Sequence, residues 1–160
     1  GSDYSYQDYI TVVEENGENK LNINKYIGKE EINKKSSSND IETMVLYRKK
    51  YMDYEIYSLN IENNSANTIK LDSSDDTKSV YLLDKNNQKT YFFNNEIIEN
   101  KLIVQSKFKT NLKIKFANNY SSTRTMKNIV FSKFILNYDE YSKMENKNEF
   151  KDFIEYRVEI

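Results

Sequence analysis

Apolar and polar residues alternate with a period of two through most of the stretch from Tyr57 to Phe116. Tyr57-Ser58-Leu59-Asn60-Ile61 is one such run, stopped by Asn63-Asn64-Ser65. Thr68-Ile69-Lys70-Leu71 restarts the pattern, and Val80-Tyr81-Leu82-Leu83, Tyr91-Phe92-Phe93 and Leu112-Lys113-Ile114-Lys115-Phe116 follow. A period of two buries one face of a strand and wets the other, so the stretch predicts a β-sandwich or barrel. Tyr57, Leu59 and Ile61 should share one face, with Ile56, Ser58 and Asn60 on the other. Ile129 to Leu136 is almost continuously apolar and predicts a central strand covered on both faces. Ile154, Tyr156, Val158 and Ile160 alternate and predict a last strand. Tyr138, Tyr141 and Met144 lie three apart, which allows one or two helical turns.

The remainder is less regular. Ile10-Thr11-Val12-Val13 and Leu21-Asn22-Ile23 flank Asn16-Gly17, a pair that accepts positive φ and predicts a hairpin turn. Residues 25–40 start with Lys29-Glu30-Glu31, a possible short helix. They end in Lys34-Lys35-Ser36-Ser37-Ser38-Asn39-Asp40, which reads as a flexible loop. The expected organisation is therefore an N-terminal segment over 1–40, hairpin-bearing or mobile, and a sandwich over 41–160. Thr43 to Tyr47 and Tyr51 to Ile61 read as strands interrupted by Arg48-Lys49-Lys50. Residues 94–101 read as a connection holding Ile97-Ile98.

Composition narrows the function classes. A chain of 160 residues can bury a core without staples, and it has no cysteine. Disulfides, thiolate metal sites and thiol nucleophiles are thereby excluded. No histidine is present either, which removes imidazole catalysis and histidine metal ligands. None of the three glycines lies in a phosphate-cradling loop. The net charge of −1 gives no bulk field for nucleic acid or an anionic membrane. With 14 Tyr and 8 Phe the chain is too aromatic for disorder. Lysine outnumbers arginine 21 to 3 and asparagine is abundant, as expected of an AT-rich bacterial genome. Gly1-Ser2 and the missing initiator Met read as a tag-cleavage scar, with an export signal, lipid anchor or membrane helix expected upstream and a neighbouring domain as the alternative.

Few residues could carry chemistry. Asp72-Ser73-Ser74-Asp75-Asp76 is the densest run of oxygen ligands, but its spacing is not that of a calcium loop and no bidentate Glu closes it. Asp72, Asp75 and Asp76 are accordingly read as a solvated turn, with no metal and no cofactor expected. Tyr47-Arg48-Lys49-Lys50-Tyr51 interleaves bases with rings, as a stacking and phosphate platform would. The balanced charge favours a hairpin tip with its cations in water. Asn63-Asn64-Ser65 and Asn119-Tyr120-Ser121 match the glycosylation sequon and are read as turns. No catalytic residue is assigned.

Three further features carry a resemblance. Leu59-Asn60-Ile61-Glu62-Asn63-Asn64-Ser65 is an alternating strand ending in Asn-Asn-Ser. Leu83-Asp84 and Tyr91 bracket a hairpin, and Leu112 to Phe116 is an alternating strand ending in Phe. Over Tyr57 to Phe131 the chain resembles the telokin-like, immunoglobulin-fold domains of envelope lipoproteins and membrane-anchored proteins of Firmicutes, with Gln105-Ser106-Lys107 where those domains usually have a Pro-Gly turn. The resemblance implies an all-β, immunoglobulin-like antiparallel sandwich with at most short helical turns. It also implies a non-catalytic, extracytoplasmic module, secreted or anchored in the cell envelope.

The partner expected is an envelope protein, peptide or glycan, met through loops, sheet edges or tyrosine surface. Contact with a membrane is expected only through an upstream anchor, and none with nucleic acid. Two other classes remain open at this point. One is an intracellular interaction protein from a mobile element. The other is a carboxylate-dependent hydrolase, which needs two carboxylates facing each other across a pocket.

Overall fold

A computed structural model describes residues 11–15, 18–22, 25–72, 79–91 and 102–160, with the backbone alone for those before 25. The protein is all-β and antiparallel. Strands β1 (Thr11–Glu15) and β2 (Glu18–Asn22) form a hairpin with Glu15 opposite Glu18. The expected turn residues, Asn16 and Gly17, lie outside the described residues.

Two sheets follow. In the first, β3 (Tyr26–Ser38), β4 (Ile41–Tyr51), β5 (Tyr54–Asn63) and β10 (Lys109–Ala117) lie side by side in the order β10-β5-β4-β3. The second is centred on β11 (Met126–Ile135). Along one edge of β11 run β7 (Val80–Asp84) and, end to end with it, the short β6 (Ile69–Lys70). Along the other runs β12 (Phe153–Glu159). Strand β8 (Lys89–Tyr91) extends the sheet beyond β7, and β9 (Ile103–Val104) pairs β6.

The sheets meet through one apolar core. Leu59, Ile61, Leu112, Ile114 and Phe116 from the first sheet pack with Val80, Leu82, Ile129, Phe131 and Val158 from the second. The alternation predicted for Leu112–Phe116 is the observed one: the three apolar residues are buried and Lys113 is exposed. A polar tie across the core satisfies a tyrosine. The Tyr156 hydroxyl lies 3.1 Å from Thr43 Oγ1 and donates to the Ile41 carbonyl at 3.2 Å. Helix α1 (Tyr138–Ser142), N-capped by Asn137, closes one end of the second sheet by packing Tyr141 against Phe150 and Phe153. Among the described residues no helix is long and apolar enough to cross a membrane.

Two expectations need correction. Residues 26–38 are not a loop but a strand of 13 residues paired along β4. Their side chains are mostly exposed, with only Ile32 packed on the core, so backbone pairing holds the strand and no apolar period marks it. The turn to β4 is Asn39-Asp40, both with positive φ (53° and 60°), as a two-residue hairpin connection requires. The expected boundary at residue 40 thus falls in a turn inside one sheet.

The second correction concerns Arg48-Lys49-Lys50, which does not interrupt a strand and is not a hairpin tip. Strand β4 runs through it and turns only at Met52-Asp53. Pairing on both sides satisfies its backbone, so charged side chains are tolerated there. Bulges between Val45 and Tyr47, and between Glu31 and Lys34 on the neighbouring strand, reverse the facing of residues. Val45 is in the core, but beyond the bulge Tyr47 leaves it and Arg48 turns inward.

Candidate functional site

Inward-facing Arg48 builds the floor of a polar cleft. The cleft encloses about 440 Å³ at one end of the sandwich, between β3–β5 and residues 118–126. Arg48 bonds Glu30 through Nη2 and the Tyr57 hydroxyl through Nη1 at 3.4 Å; Nη1 also lies 3.6 Å from Glu55 Oε1. Glu55 is 4% exposed and has both oxygens engaged. Tyr57 donates to Oε2 at 3.0 Å, and Asn118 Nδ2 donates to Oε1 at 2.8 Å. Burial, with the Glu55 carboxylate beside it, pushes the Tyr57 phenol well above the ordinary tyrosine range, so it remains a donor. Among the described residues, Arg48 Nε is the buried side-chain nitrogen left without a partner.

The opposite wall hangs on a second arginine. Arg124 Nε donates to Asp84 Oδ2 at 2.8 Å, Nη1 to Thr90 Oγ1 at 2.6 Å and Nη2 to the Gln88 carbonyl at 3.1 Å. Asp84 Oδ1 accepts the backbone N–H groups of Asn86 and Gln88, both at 2.8 Å, which also fixes the β7–β8 turn. Residues 118–126 are therefore held at both ends. Asn118 and Tyr120 donate backbone bonds to Asp53 and Met52, and Arg124 clamps the far side. Tyr120, 56% exposed, stands at the mouth, and Lys50 and Tyr51 line the wall opposite.

The bond from Arg124 holds the Asp84 carboxyl below its ordinary value, against the opposing effect of burial, and the Gln88 and Asn86 N–H groups lower it further. A depressed folded value contributes stability above the unfolded carboxyl value of about 3.9, and that stability is lost as pH falls through the folded value. Asp84→Asn should therefore lower Tm at neutral pH and lose less further stability between pH 4 and 2. A series of melts from pH 7 to 2 on both proteins measures this.

The positions singled out by sequence scatter. Asp72 is buried and has an interaction partner, while Asp75 and Asp76 lie outside the described residues. No group of three His, Cys, Asp or Glu among the described residues could hold a metal ion. Millimolar calcium is expected to leave Tm unchanged; a rise abolished by Asp75→Asn would assign a site to that run. Asn63 of the first sequon is fully buried: Nδ2 donates to the carbonyls of Asn67 and Val104, and Oδ1 accepts from Ser65. Asn119 of the second makes the same turn with Ser121 in the open.

Of the cleft, sequence reasoning reached Arg48, Lys50 and Tyr51 as part of a basic run and Asn119 and Tyr120 as a turn, without joining them into a site, and it gave no role to Glu30, Glu55, Asn118 or Arg124. One signal was present. With 21 lysines and three arginines, each arginine marks a place where a branched guanidinium is needed, and two of the three build this cleft.

No protein-family model, curated protein or solved structure matches the chain.

Proposed function

We propose that the protein is a non-catalytic, immunoglobulin-like binding module of a bacterial cell envelope, and that it takes an envelope glycan in the cleft. The strand order supports the fold type. Strands β4, β5 and β10 have the neighbour relations of strands A, B and E, and β8-β7-β11-β12 has the order C′-C-F-G. The Leu83–Tyr91 motif forms the hairpin that the resemblance requires, with Tyr81 opposite Tyr91.

The cleft itself carries the functional reading. It is small, polar and pre-formed, and an exposed tyrosine stands at its mouth. A sugar offers hydroxyls to amide, guanidinium and ammonium groups and a C–H face to an aromatic ring, and this lining supplies all of these. Binding is favoured over hydrolysis by how the carboxylates are used. Glu30 bonds the Arg48 guanidinium and Glu55 pairs with it at 3.6 Å, and both Glu55 oxygens already accept, one from Tyr57 and one from Asn118.

Tyr120→Ala tests the reading, because the ring touches no core cluster. Binding to solubilised cell-wall glycan fragments should weaken at least tenfold with Tm unchanged. Undiminished binding by the variant, or release of cleaved fragments by the natural protein, would reject it.

A further inference from the structure

The outer face of the first sheet carries a second, differently built surface. The two bulges that turn Arg48 inward turn Tyr47 and Lys49 outward together, while Tyr51, stacked on Tyr54, stands at the edge between this face and the cleft. Strand pairing then aligns Lys29, Lys49, Ile56 and Lys115 in one row across four strands, and Glu31, Tyr47, Ser58 and Lys113 in the next. Four lysines share this area with one carboxylate, Glu31, which Lys29 holds at 3.0 Å. Lys29 and Lys49 are paired directly across strands, a like-charge placement that opposes folding. The rings take up part of that repulsion. Lys29 Nζ lies 4.3 Å and Lys49 Nζ 5.7 Å from the Tyr47 ring centroid, and Lys115 Nζ lies 4.1 Å from that of Tyr54.

We infer that this face docks a linear phosphate polyanion, whose charges meet the Lys29–Lys49–Lys113–Lys115 array. Charge complementarity picks the partner: the array has a local excess of three positive charges on a chain whose net charge is −1. Ring geometry excludes base stacking as the source of affinity. The faces of Tyr47 and Tyr54 are covered by lysines, and Tyr51 is already stacked on Tyr54 at 4.4 Å. The rings act as a floor that presents ammonium groups. Recognition is therefore by the phosphate chain, separate from the ligand of the cleft on the inner side.

The test titrates the full chain with inorganic polyphosphate, and with an oligothymidylate of matched charge, between 50 and 300 mM salt. Lys29→Gln/Lys49→Gln/Lys113→Gln should weaken polyphosphate binding at least tenfold at 50 mM. It should also flatten the log–log salt slope by about 2, the share of three phosphate contacts at the single-strand slope. A control triple at exposed lysines elsewhere, Lys127→Gln/Lys143→Gln/Lys151→Gln, should change neither. Equal loss in the control, or no binding at 50 mM, overturns the inference. So does oligothymidylate binding more than tenfold tighter than polyphosphate, since stacking would then dominate.

Discussion

Replacing Ile114 with aspartate is expected to abolish cooperative unfolding altogether. Ile114 is fully buried in the middle of β10, between Leu112 and Phe116, and its side chain meets the core shared by both sheets. A carboxylate there has no cation and no donor within the core, and burying an unpaired charge exceeds the stability of an ordinary domain. The neighbouring Lys113→Asp faces water and should shift stability by no more than about 0.5 kcal/mol. Circular dichroism melts of both variants measure the contrast. Equal damage would mean that the side chains of β10 alternate in the opposite register.

The second large effect is expected at Arg48. Arg48→Met keeps the length and apolar stem but leaves Glu55 buried without its cation. Removing one partner of a buried pair costs about 3–5 kcal/mol. At the usual 2–4 °C per kcal/mol for a domain of this size, Tm falls by roughly 6–20 °C. Adding Glu55→Gln should recover part of the loss, because the uncompensated charge goes with it. Arg48→Lys should fall between the natural protein and Arg48→Met, since an ammonium cannot span Glu30, Tyr57 and Glu55 as a guanidinium does. A loss below 1 kcal/mol in Arg48→Met would show that the cluster is solvated and not the floor of a formed cleft.

These two sites mark where the sequence was legible and where it was not. Strands β5, β10 and β12 bury alternate residues and β11 carries a nearly continuous apolar run, so these patterns announced them, and Leu112, Ile114 and Phe116 could be placed correctly from spacing alone. Strand β3 shows no such period, because an edge strand held by backbone pairing needs few apolar side chains. Its clearest marker was the Asn39-Asp40 turn, which sequence reasoning took for the end of a loop.

The cleft was hidden for a different reason. A bulge shifts the period by one residue, so Arg48 reads as outward from the alternation before it and points inward in the structure. Glu30, Glu55, Asn118 and Arg124 come from four separate stretches that only the sheet pairing brings together, and no local spacing records that.

The most direct test of the binding reading is a nuclear magnetic resonance titration of the isotope-labelled protein with soluble cell-wall glycan fragments. The expected result is saturable shifts at Lys50, Tyr51 and residues 118–126, together with unchanged fragment signals after prolonged incubation. Shifts confined to other surfaces, no shifts at all, or new signals from cleaved glycan would contradict it.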